Sequence, residues 1–163
     1  MANIILIGMP GCGKSTVGVI LAKTLGIGFV DTDLIIQQRE NRLLQNIIDT
    51  DGIDYFLNCE ADAVKSLDCD NCVVATGGSV VYREDAVQHL KSNGKIIFLD
   101  VPLDEIKRRL NNINTRGIAA KKNKSIEDIY NERIALYNKY ADVIIKTDGE
   151  SVEKTVEKIC KIF

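Results

Sequence analysis

The segment Gly8-Met9-Pro10-Gly11-Cys12-Gly13-Lys14-Ser15-Thr16 follows directly on the apolar run Asn3-Ile4-Ile5-Leu6-Ile7 and opens a helical pattern. It matches G-x-x-x-x-G-K-[ST] in full, in the strand-to-helix setting that gives this spacing its meaning. Glycines let the backbone curl until several N–H groups face inward on phosphate oxygens. The positive end of the following helix faces the same anion. In such a loop Lys14 reaches the β- and γ-phosphates and the Ser15 hydroxyl can ligand Mg²⁺, with Gly11, Cys12, Gly13 and Thr16 completing the nucleotide cradle. The alternative is a glycine-rich turn that fits the spacing by coincidence.

The rest of the chain alternates short apolar runs with helical stretches. Gly28–Asp31, Cys72–Ala75, Lys95–Leu99 and Asp142–Ile145 read, like Asn3–Ile7, as strands buried on both faces. Helical patterns lie at about 14–25, 34–39, 43–49, 53–66, 83–92, 103–111, 125–140 and 151–161. This alternation implies parallel pairing through right-handed crossovers. The expected fold is α/β, a three-layer α/β/α sandwich around a five-stranded parallel sheet. Its 163 residues fit one domain, 1–163.

Composition narrows the partners. Lys and Arg total 21 against 23 Asp and Glu, a net charge of −2, so a polyanion such as duplex DNA is not expected. No run approaches 18 apolar residues, and Met1-Ala2-Asn3 enters its apolar run without a basic flank, so neither a membrane span nor a secretory signal is expected. The expected location is the cytoplasm, and the expected state a monomer. Cys69 and Cys72 have C-x-x-C spacing, which fits a redox pair or half a zinc site. Zinc needs two more ligands, however, and the single histidine, His89, has no partner nearby in sequence. Reduced thiols are the expectation for all five cysteines.

In open parallel sheets, ligands bind beyond the carboxyl ends of the strands. The second strand runs into Asp31-Thr32-Asp33. Near a phosphate loop the two carboxylates suit Mg²⁺ coordination through water (Asp31) and activation of an acceptor hydroxyl (Asp33). Asp31 or Thr32 could instead cap the next helix. The third strand runs into Thr76-Gly77-Gly78-Ser79, which permits close approach to a ligand or makes a tight turn. The polar segment 112–124 looks like a mobile lid, and Arg116 within it is a candidate arginine finger supplied in cis. A solvated surface loop is the plainer reading, as an exposed helix position is for Arg133. No guanine-reading Asn-Lys-x-Asp is present, because Asn138-Lys139-Tyr140-Ala141 fails at its fourth position, and this argues against a GTPase.

Together these elements resemble the shikimate kinase family, within the nucleoside-monophosphate-kinase-like P-loop proteins. The resemblance rests on the phosphate loop, Asp31-Thr32-Asp33, Ala75-Thr76-Gly77-Gly78, Arg83-Glu84, Arg133 with Leu136-Tyr137, Ala141-Asp142 and the closing helix after Thr147. It implies a sheet in 2-3-1-4-5 order, ATP with Mg²⁺, a moving lid, and a place in aromatic amino acid biosynthesis. It implies that Asp33 contacts the acceptor's hydroxyls, with Gly77, Gly78 and Ser79 lining the acceptor site. It further implies that Arg133 pairs with the acceptor's carboxylate and that Arg116 lies over the nucleotide phosphates.

The chain departs from the family pattern at informative places. Phe-Arg-x-x-Glu is here Phe56-Leu57-Asn58-Cys59-Glu60, so the arginine that forms the family's second carboxylate clamp is Leu57. Ser79 replaces the third glycine of a triple glycine, Arg116-Gly117-Ile118 replaces Arg-Pro-Leu, and Ala135 replaces a proline. A neighbouring cation, Arg39, Arg42 or Lys65, could fill the place of the lost arginine. The expected activity is transfer of the γ-phosphoryl of ATP to a hydroxyl of a small acceptor, shikimate by resemblance. The alternatives are a kinase for another hydroxylated metabolite and a nucleotide-binding regulatory module without catalysis. Lys14, Asp33 and Arg116 speak against the last.

Overall fold

The computed structural model describes residues 2–111 and 117–163. Five strands, β1 (Asn3–Ile7), β2 (Gly28–Asp31), β3 (Cys72–Ala75), β4 (Gly94–Asp100) and β5 (Val143–Lys146), form one sheet in the order β2-β3-β1-β4-β5. Every pairing is parallel, with Ile5 opposite Val74 on one side and Ile96 on the other. The central strand is apolar because both of its faces are covered, and Ile4, Ile5, Leu6 and Ile7 are all buried.

The crossovers decide where the helices go. α1 (Lys14–Leu25) carries the chain from β1 outward to β2, whereas α5 (Glu84–Asn93) carries it from β3 back to β4. Connections of one hand running in opposite directions lie on opposite faces. α1 accordingly packs with α8 (Val152–Cys160), and α5 packs with α4 (Ile53–Lys65). α2 (Thr32–Glu40), α3 (Leu44–Asp51) and α4 pack on one another around a second, smaller apolar cluster built on Ile36, Ile47 and Phe56. α6 (Leu103–Leu110) and α7 (Ile126–Tyr140) complete the fold. Among the described residues no helix is long and apolar enough to cross a membrane.

Three local differences from the sequence expectations have physical causes. α2 begins at Thr32, two residues early, because Asp31 caps it by accepting a hydrogen bond from the Asp33 N–H at 3.0 Å. β5 begins at Val143, because the Asp142 side chain leaves the ladder and accepts from the Ile96 N–H at 2.8 Å. A 3₁₀ turn over Val80–Tyr82, not expected from the sequence, follows the Gly77-Gly78 bend.

Cys69 and Cys72 lie at the amino-terminal ends of the inner strands. The Asn3 side chain donates to the Cys69 carbonyl at 2.6 Å and accepts from the Cys72 N–H at 2.9 Å, stitching the turn before β3 to β1. Burial, with Cys72 beside it, pushes the Cys69 thiol up to about 11. Both cysteines are free thiols, and among the described residues no group of three or more His, Cys, Asp or Glu could hold a metal ion.

Candidate active site

The loop 8–13 joins the carboxyl end of β1 to α1, whose cap Gly13 has φ 97°, a left-handed conformation that favours glycine. Lys14 does not extend into solvent. Its residue is 8% exposed, and Nζ donates to the carbonyls of Gly8 at 2.7 Å and Met9 at 2.9 Å. Cys12 is buried, its N–H donating to the Met9 carbonyl, so its own amide serves the shape of the loop. Ser15 Oγ donates to Asp31 Oδ2 at 2.8 Å, while Asp31 Oδ1 takes the α2 amide. Asp31 therefore caps α2, as one of the two sequence readings had it, and its other oxygen lies beside Ser15. A hydroxyl and one carboxylate are a donor set that fits Mg²⁺, which takes one or two protein oxygens and fills its shell with phosphate and water.

A cavity of about 330 Å³ opens beyond the loop, lined by Lys14, Ser15, Thr16, Asp33, Gly77, Gly78, Ser79 and Arg133 among others. The sequence-predicted residues from the first, second and third strand ends and from α7 thus meet in one place. Arg116 lies outside the described residues, as does the 112–116 part of the expected lid. The described remainder of that segment is packed at its start. Gly117 lies on α3 so closely that a Cβ there would collide with the Leu44 side chain and come within 3.0 Å of the Gln45 nitrogen. Ala119 is buried, whereas Lys121 and Lys122 are exposed.

Arg133 is no surface residue; it is 1% exposed. Its Nη2 donates to the Ala119 carbonyl at 2.8 Å and its Nε to the Tyr82 hydroxyl at 3.1 Å, with the guanidinium 5.1 Å above the Tyr82 ring. Nη1 is turned towards Gly78, 3.1 Å from where a Cβ would stand. A buried guanidinium held by neutral partners can take an anion as its counter-charge.

Two contributors escaped the sequence reading. Glu60, fully buried on α4, lines this cavity and accepts from Ser79 Oγ at 2.8 Å. Its only signal was its place in the Phe56-x-x-x-Glu60 pattern. Arg109, on α6, lines a second cavity of about 430 Å³ on the other flank of the loop, with Thr16, Thr147 and Thr155. Glu105 aims it by accepting from Nε at 2.9 Å, and Nη1 reaches the Gly11 carbonyl at 3.2 Å. The bonds from Arg108 and Arg109 hold the Glu105 carboxyl down at about 2. The Arg108-Arg109 pair one helix beyond β4 was the available signal.

Among the described residues, none of the three candidate cations takes the place of the one missing at position 57. Arg39 donates to Ser66, Arg42 pairs with Glu40 and Asp51, and Lys65 pairs with Asp62 and Asp85. Leu57 packs against the small apolar cluster and is not among the residues lining the cavity.

Comparison with known proteins agrees with this geometry. The family model described as shikimate kinase matches residues 10–163. A shikimate kinase of Clostridium botulinum (strain Alaska E43 / Type E3) is 37% identical over 99% of this chain and 96% of its own length. One from Persephonella marina is 36% identical over 98% and 97%. The solved structure of shikimate kinase from Acinetobacter baumannii in complex with shikimate superposes with a TM-score of 0.92 at 27% identity, covering 99% of this chain and 92% of that one. On a family match that runs from inside the phosphate loop to the last residue, the chain belongs to the shikimate kinase family.

Proposed function

We propose that this protein transfers the γ-phosphoryl group of ATP to a hydroxyl of shikimate, giving shikimate 3-phosphate. The observation that carries this reading is the convergence of Lys14, Asp33 and the buried Arg133 on one cavity of about 330 Å³. The volume suits a small metabolite together with a terminal phosphate. Family membership supports the same assignment.

The nucleotide lies along the loop, with its phosphates over Gly11, Cys12, Gly13 and the start of α1 and its base towards Arg109. Thr147 Oγ1, buried and without a hydrogen-bond partner among the described residues, is a free group for that base. Ser15 and Asp31 would hold Mg²⁺, which would supply charge neutralisation for the phosphates. Lys14 exchanges its loop carbonyls for phosphate oxygens and stabilises the charge that develops there. Arg116, by family resemblance, would add to that stabilisation. Asp33 orients the acceptor hydroxyl and takes its proton. Arg133 meets the acceptor carboxylate, with Gly77, Gly78 and Ser79 forming the wall.

ADP release coupled to NADH oxidation tests the reading. Shikimate with Mg²⁺ and ATP should give saturable turnover that Arg133→Ala weakens through KM. One specific observation favours a second reading. Leu57, with Arg39, Arg42 and Lys65 all engaged elsewhere, suits an acceptor less acidic than shikimate. Turnover of a neutral polyol in preference to shikimate in the same assay would select it.

A further inference from the structure

Glu60 is 1% exposed and faces the cavity from α4. Oε1 is satisfied by Ser79, but Oε2 is buried and has no hydrogen-bond partner among the described residues. It presses on Gly77, where a Cβ would collide with it, and Asp33 Oδ1 lies 3.0 Å from the same point. Glu60 thus looks onto the acceptor half of the site beside Asp33 and Arg133.

The charges acting on Glu60 are Asp33 from α2, Arg133 from α7 and Lys14 from α1, the last already held by two carbonyls. Among the described residues the other packed elements offer none. On α3, Asp49 accepts from Gln45 and Asp51 pairs with Arg42; on α5, Asp85 pairs with Lys65 and Glu84 is exposed. Tyr82 of the 3₁₀ turn is engaged by Arg133 and Glu132. Burial pushes the Glu60 carboxyl up to about 7; Asp33 pushes the same way, while Ser79, Arg133 and Lys14 oppose. An anionic acceptor brought beside an ionised, desolvated Glu60 would be repelled by it. Asp33 keeps contact with solvent in the first turn of α2, where the helix end favours negative charge. Glu60 has neither relief.

We propose that Glu60 binds the acceptor in its protonated form, Oε2–H donating a hydrogen bond to it, so that an anionic acceptor enters together with one proton. The proton comes from solvent, stays on Oε2 while the acceptor is bound, and returns to solvent when the site empties. A neutral carboxyl then does part of what a second cation would do, and Ser79 fixes its orientation. This inference rests on the kinase reading above, with shikimate as the probe.

Calorimetric titration of the parent protein with shikimate, without nucleotide, tests it at pH 6 to 9 in two buffers of different ionisation heat. We expect about one proton taken up per shikimate at pH 8, and a dissociation constant rising on the order of tenfold per pH unit above about 7. Glu60→Gln keeps both the Ser79 bond and a donor, so it should bind without proton uptake and equally well at pH 6 and pH 9. Parent binding that is independent of pH and takes up no proton overturns the inference and leaves the kinase reading standing. Proton uptake that persists in Glu60→Gln overturns it as well. If that variant does not fold, the proton count of the parent decides. No binding of shikimate by the parent at any pH overturns both readings.

Discussion

Four side chains carry predictions at the scale of single residues. Lys14→Met keeps the aliphatic stem and removes the ammonium, so kcat should fall on the order of 10²–10³-fold. Because Nζ also holds the Gly8 and Met9 carbonyls, thermal unfolding should show a small stability loss as well. Asp33→Asn should lower kcat roughly 10²–10⁴-fold with the ATP KM kept, as loss of a positioned base does; unchanged turnover would leave Asp33 as a helix-start residue only. Glu60 has its folded-state pKa raised from 4.5 to about 7, so its contribution to stability is present below the unfolded value and lost as pH rises to about 7. Glu60→Gln removes that slope. Urea titration should find the variant more stable than the parent by on the order of 2–3 kcal/mol at pH 8, with the gap closing towards pH 5. Leu57→Arg places a cation one helical turn from Glu60. At pH 8 it should lower the shikimate KM by about tenfold or more with little change in kcat. If the natural acceptor is less acidic, the same change should instead impair the native reaction.

At the scale of elements, the acceptor half stands on its own support. α2, α3 and α4 share an apolar cluster separate from the sheet core, and Ala119 joins it from the segment after Gly117. Ile47 is fully buried in that cluster, so Ile47→Ala should cost roughly 2–5 kcal/mol. Steady-state kinetics should then show the acceptor KM rising while the ATP KM stays near the parent value. Equal effects on both would mean that the two halves respond as one body. The strands and their helices were legible because buried parallel strands are apolar throughout and the loop motif marks where the first one ends. The strand order was not, since nothing local in β1 says that β3 and β4 flank it; only family resemblance supplied it. Arg133 carried the same ambiguity, for one arginine in a helix of mixed polarity reads as exposed until Tyr82 and Ala119 are seen around it. Glu60 and Arg109 were invisible as site residues because periodicity does not say which helix face looks into a cavity. Leu57 was a visible change, but that Arg39, Arg42 and Lys65 do not compensate for it needed their positions in the fold.

For the whole molecule, the informative fact is where the two cavities meet. Gly11, Gly13 and Thr16 line both, one on each flank of the phosphate loop. Each cavity has its own further walls, Gly77 to Ser79 with Arg133 on one side and Thr147 to Thr155 with Arg109 on the other. Neither compound therefore has to pass through the other's place to reach its own. Initial-rate kinetics should fit random addition, with ADP competitive against ATP and noncompetitive against the acceptor; an uncompetitive pattern would mean a compulsory sequence. A party wall three residues thick has one more consequence. A single inhibitor that joins a shikimate-like ring through a short phosphate bridge to an adenosine could occupy both rooms at once. Its tether would cost little, because the two halves of the ligand would be neighbours before they were ever linked.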